Sequence, residues 1–142
     1  MTDQASTTPV YREQLQEAQR GPHAAKLFGN RFPLMVEPYT FDSAGALSEQ
    51  YDGGFWEFYA LSNGGFYMAP TSREAFRVVC ANGFAGDLSA DAFGITSCLY
   101  AYSLLSFAAN EKLAEECARQ YHWLRAYAAQ HPEAAVIWRA TD

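Results

Sequence analysis

Apolar positions along this chain recur in two rhythms, sparse or helical at the two ends and strand-like in the middle. Between Val10 and Arg20 only Val10, Tyr11, Leu15 and Ala18 are apolar, a thin stripe that predicts a short helix closed by Gly21-Pro22. Pro22 to Phe28 reads as a second short helix, with proline in its first turn and Gly29-Asn30 after it. Pro33 and Pro38 punctuate the next stretch. A helix is predicted from about Pro38 to Tyr51, burying Tyr39, Ala44, Leu47 and Tyr51, because proline is tolerated in a first turn and not in a helix interior.

The rhythm then changes. Phe55 to Leu61 is short, aromatic and bounded by glycines, which predicts a strand. Phe66 to Pro70 is a second strand, joined to the first through Ser62-Asn63-Gly64-Gly65, residues that accept the positive φ of a tight hairpin turn. Ala75 to Cys80 is a third, and the short connections argue for an antiparallel meander. From Ala90 to Ala109 the sequence is apolar almost all round, the mark of a buried central helix, with Ser89 as its N-cap. Asn110 caps a further helix, Glu111 to Gln130, whose apolar residues Leu113, Cys117, Tyr121, Leu124 and Ala128 recur every three or four positions. His131-Pro132 ends it and opens a last short helix carrying Val136, Ile137 and Trp138. Helices, then strands, then helices imply an α+β fold. A small antiparallel sheet of three strands, or slightly more, lies mid-chain and is packed by the N- and C-terminal helices.

Composition bounds the rest. With 142 residues, 49% of them hydrophobic and 15% aromatic, the chain is neither disordered nor collagenous and makes one domain. Residues 1–20 read as a variable leader, frayed at its polar start, and 21–142 as the domain. The first residues lack the basic and apolar regions of a secretory signal. No apolar run spans a bilayer, and three cysteines make no disulfide framework, so the chain is expected in the cytoplasm.

The formal net charge is −6, and residues 32–70 carry most of it: Glu37, Asp42, Glu49, Asp52 and Glu57 with no Lys or Arg. Such a patch attracts a basic surface. Nucleotide-binding glycine loops and metal-ligand spacings are absent, so no catalytic residue, cofactor or metal is expected. The exposed aromatics of residues 55–67 could stack on bases, but the basic groove of single-strand binders is missing there.

The run Tyr51-Asp52-Gly53-Gly54-Phe55-Trp56-Glu57-Phe58-Tyr59-Ala60-Leu61-Ser62-Asn63-Gly64-Gly65-Phe66-Tyr67-Met68-Ala69-Pro70 resembles the signature of antirestriction proteins of the ArdB/KlcA type, Y-x-G-G-x-W-x-F-Y-x-L-S-N-G-G-x-x-M-A-P, at every fixed position. Tyr121 to Glu133 resembles the tyrosine-rich helix of that family, which ends in H-P-E. The resemblance covers about residues 22–142. It implies a protein of plasmids and other mobile elements that relieves type I restriction of incoming unmodified DNA without catalysis. The partner it implies is the restriction–modification complex or an associated host protein, and no membrane is involved. A duplex mimic needs carboxylates at about one charge per 1.7 Å. The five acids of residues 32–70 are too few, so a smaller surface is expected: Glu37, Asp42, Glu49, Asp52 and Glu57, with Asp142 as a separate exposed contact. The signature residues Gly53, Gly54, Trp56, Phe58, Tyr59, Leu61, Ser62, Asn63, Gly64, Gly65, Met68, Ala69 and Pro70 read as a folding signature. The alternative is a DNA-binding accessory protein of a mobile element, using Arg12, Arg20, Lys26 and Arg31 together with exposed aromatics.

Overall fold

A computed structural model describes residues 8–142; the polar start of the expected leader lies outside them. Strand β1 (Arg12–Gln14) is followed by α1 (Glu17–Phe28), a π-helical turn (Phe32–Val36) and α2 (Glu37–Leu47). Then come β2 (Trp56–Leu61), β3 (Phe66–Pro70), β4 (Ala75–Val79), β5 (Ala85–Ser89), α3 (Ala90–Leu105), α4 (Glu111–Ala128) and α5 (Ala134–Thr141). The fold is α+β, with one three-stranded antiparallel sheet in the order β1-β2-β3 and a separate antiparallel pair β4-β5.

Helix α3 is the centre. Eleven of its residues are buried, and it packs on β3, α2, α4 and α5. Its start is fixed by Ser89, whose hydroxyl accepts from Ala92 N, and that of α4 by Asn110, whose side chain accepts from Leu113 N. Strand β3 is buried along its whole length. Gly94 lets α3 lie directly on it: a Cβ there would sit 2.4 Å from the Met68 carbonyl oxygen and 2.5 Å from Ala69 Cα. Across β2 and β3, Phe58 meets Phe66 edge-on, and Phe32 and Phe28 extend that cluster toward α1.

Several expectations are corrected. The helix expected over Val10–Arg20 is a strand followed by the start of α1. Ser62 N donates to Tyr11 O and Leu15 N to Phe58 O, and this tertiary pairing outweighs a thin local stripe. Residue 20 lies inside α1. Gly21-Pro22 does not break that helix, because Ala24 and Phe28 beyond it are buried and hold it on course. Phe32–Val36 is helical in spite of Pro33, which sits in its first turn where no N–H is needed. Helix α2 stops at Leu47, where Ser48 turns extended (φ −141°, ψ 127°), well before Tyr51. The third expected strand does not extend the meander; β4 pairs with β5, a strand with a single buried residue, Leu88, and so almost no apolar signal. Helices α3 and α4 end earlier than expected, and α5 begins at Ala134.

Candidate interaction surface

The acidic positions of residues 32–70 are divided by the fold. Glu57, on β2, pairs with Arg20, while Glu37, in the first turn of α2, feels the charge of that guanidinium without forming an ion pair with it. Arg20 approaches Glu57 at 3.8 Å and lies over the rings of Phe58 (4.0 Å) and Phe55 (4.6 Å). Glu57 also accepts from Gln14 Nε2 at 3.1 Å. Partial burial raises the Glu37 carboxyl above its ordinary value, against the opposing charge of Arg20. Asp42 is exposed on α2, and Glu49 and Asp52 are exposed on the connection 48–55. None of these three makes an ion pair among the described residues. That connection is anchored by Gln50, which accepts from Arg77 N, and by Tyr51, packed on Trp56, Phe76 and Phe93. Asp142 lies at the end of α5, where its main-chain oxygen accepts from Asn82 Nδ2 in the β4–β5 turn. The acids thus lie beside Arg20, on α2, on the 48–55 connection and at the end of α5.

The signature residues meet partners inside the molecule. Trp56, Phe58, Leu61, Met68 and Ala69 are buried, and Trp56 Nε1 donates to Tyr51 Oη. Pro70, also buried, ends β3 opposite Trp56. Ser62 holds β1, its hydroxyl accepting from Tyr11 N. The turn after it seats α4: Asn63 Nδ2 donates to Trp123 O, and Gln120 Nε2 to Gly64 O. Gly64 has φ +101°, and a Cβ there would meet the Trp123 ring at 3.2 Å, so both conformation and space call for glycine. Gly53 and Gly54 also have positive φ, at 104° and 108°.

A cluster unforeseen from the sequence joins five elements. Asp91, in the first turn of α3, accepts from Arg12 Nη1 (2.6 Å), Tyr67 Oη (2.7 Å) and His131 Nε2 (2.9 Å). His131 Nδ1 accepts from Glu133 N, which fixes the proton on Nε2. Glu133 in turn accepts from the Ser89 main-chain N–H and hydroxyl, so the H-P-E turn grips the start of α3. Tyr67 stacks between Tyr59 (4.9 Å) and Tyr127 (5.7 Å), and Arg12 covers Tyr59 at 4.4 Å. Burial would raise the Asp91 carboxyl, but the hydrogen bonds from His131 and Tyr67 and the charge of Arg12 outweigh it and hold the group below its ordinary value. The H-P-E motif was the available signal for this cluster. Asp91 and Arg12 carry none locally, being 79 residues apart.

Other chemistry is limited. Cys80, Cys98 and Cys117 are buried, and burial pushes the Cys98 and Cys117 thiols up to about 12, away from the thiolate a nucleophile needs. Among the described residues no group of three or more His, Cys, Asp or Glu is placed to hold a metal ion. No helix among them is long and apolar enough to cross a membrane.

Comparison with known proteins supplies the context. A family model described as antirestriction protein matches residues 49–142. Two Escherichia coli proteins, both named antirestriction protein KlcA, are similar to the chain. One is 43% identical over 146 residues, spanning 100% of each chain. The other is 42% identical over 136 residues, spanning 94% of this chain and 96% of its own. A solved structure is similar with TM-score 0.87 at 42% identity, covering 95% of this chain and 96% of that one. It comes from work on KlcA and ArdB reporting a novel fold, and antirestriction activity against type I DNA restriction systems in vivo but not in vitro.

Proposed function

Because this chain belongs to the antirestriction protein family, we propose that it relieves type I restriction of incoming unmodified DNA in the cell. It does so by contact with a protein of the restriction complex or an associated host component, without catalysis and without imitating duplex DNA. One observation carries the contact mode: the carboxylates of residues 32–70 are split between Arg20, the exposed face of α2 and an exposed connection, in place of a row at phosphate density. Activity in vivo but not in vitro, as described for the solved relatives, fits dependence on a cellular component. The working surface comprises Asp42, Glu49 and Asp52, with Glu37 and Glu57 beside Arg20 and Asp142 as a separate contact. The signature residues serve the fold, as their internal contacts support.

The test replaces Glu37, Asp42, Glu49 and Asp52 together by Gln or Asn. The expected result is weaker protection of unmodified phage in a type I restricting host, with an unchanged melting temperature. Full protection by the variant would falsify the acidic surface. The DNA-occupying alternative is less well supported, because two of its four cations are already engaged, Arg12 by Asp91 and Arg20 by Glu57.

A further inference from the structure

Between α1, the π-helical turn and β2 runs a groove of about 470 Å³, lined by Gly21, Ala24, Ala25, Pro33 and Phe58, with Arg20 at one end. On the far side of Arg20 it adjoins a second hollow of about 440 Å³ whose lining includes Glu17, Phe55 and Glu57. The floor is apolar, and large apolar side chains stand exposed close by in sequence, Phe55 at 57% and Leu34 at 66%. Contiguous apolar surface with a polar rim marks an interaction site. Gly21 adds a separate indication. Glycine inside a helix costs about 1 kcal/mol relative to alanine. Here a Cβ would meet no atom of the chain within 4 Å, and φ is not positive, so neither packing nor conformation calls for it. Its bare backbone leaves open space at the groove's lining.

The adjoining hollow sets the occupant's charge: its lining carries two acids, Glu17 and Glu57. The single cation there is already held by Glu57 and two phenyl rings. We infer that this groove receives an apolar side chain presented by a basic segment of the protein partner, with Lys or Arg flanking it to meet Glu17 and Glu57. The inference rests on the protein-contact reading above and names the surface and the partner's chemistry. Apolar anchors in desolvated pockets carry most of the energy of such contacts, and the charged rim selects among partners.

Two substitutions at exposed Ala25 separate filling from charge. Both Ala25→Arg and Ala25→Glu obstruct the groove, but only the first opposes a basic partner. The full chain and each variant are expressed in a type I restricting host, and the efficiency of plating of unmodified phage is scored. Melting temperature and light-scattering mass are measured on the purified proteins. Wild type is expected to protect, A25E to lose part of the protection, and A25R to fall at least about tenfold in plating efficiency below A25E. Gly21→Arg, at an exposed position where a Cβ has open space around it, repeats the test one turn away should A25R lower the melting temperature. Wild-type protection retained in both Ala25 variants overturns the groove and leaves the function standing. Equal loss in both overturns the basic partner. A wild-type dimer that A25R dissociates puts a second copy of this chain in the groove and overturns the proposal. Failure of wild type to protect overturns the function itself, and the inference with it.

Discussion

Gly94 is the residue on which the packing of α3 against the sheet turns. The 2.4 Å approach of a hypothetical Cβ to the Met68 carbonyl leaves a methyl no room, and both partners are backbone of the central elements. Gly94→Ala is therefore expected to cost about 3 kcal/mol, read as a shift of the urea midpoint. Asp91 makes a different kind of demand. Asn in its place would turn an N–H₂ toward donors on His131, Tyr67 or Arg12, a mismatch worth about 2 kcal/mol near neutral pH. The pH dependence follows from the direction of the shift. The folded-state carboxyl titrates below its ordinary 3.8, so its contribution is complete above that value and is lost as pH falls through the folded-state value. The stability gap between wild type and Asp91→Asn should close in that acid range; a gap that stays constant there would contradict the assigned ion pair. At this scale the sequence discloses turn glycines, since Asn63-Gly64-Gly65 announces positive φ. It does not disclose Gly94, whose reason is a strand some 25 residues upstream.

Among the elements, β1 is the one held least by local sequence and most by its partners. Beyond its pairing with β2, Val10 is clasped by Gln130, which accepts from Val10 N at 2.9 Å and donates to Val10 O at 2.6 Å. One amide side chain thus stands in for a neighbouring strand. Removing it by Gln130→Ala should free the N-terminal strand without unfolding α3. The amides of Leu15 and Ser62 are expected to exchange about fivefold faster, for about 1 kcal/mol lost, while those of α3 keep their protection. Unchanged exchange at Leu15 would mean that β2 alone holds the strand. The same distinction explains which elements could be read in advance. Helices α3 and α4 carry their own caps, Ser89 and Asn110, and β2 and β3 carry their own turn. Strand β1 depends on a partner about 45 residues away, and β5 on one whose turn, Asn82-Gly83, reads only as the end of β4. Gly21-Pro22 misleads because the tertiary burial of Ala24 and Phe28 overrides two helix breakers. The acidic stretch was visible as composition, but the engagement of Glu57 by Arg20, which leaves Asp42, Glu49 and Asp52 exposed, depends on α1 lying beside β2.

For the molecule as a whole, the net charge of −6 is informative through its distribution. Phosphate contacts impose a steep salt dependence on any DNA complex. With Arg12 and Arg20 engaged internally, the purified chain is expected to leave duplex DNA unretarded in mobility shifts at physiological salt. A salt-sensitive shift at that ionic strength would revive the DNA-occupying alternative. The two sheets, the central helix and the H-P-E turn together build a scaffold whose outward features are an acidic rim, an apolar groove and an exposed connection, suited to binding a protein. Relief of type I restriction inside the cell is read from the plating efficiency of unmodified phage on a restricting host, with and without the chain, beside phage already carrying the host's modification. Unmodified phage is expected to rise toward the modified level while modified phage plates unchanged. Equal restriction in both cultures, with the folded chain present, would contradict that relief.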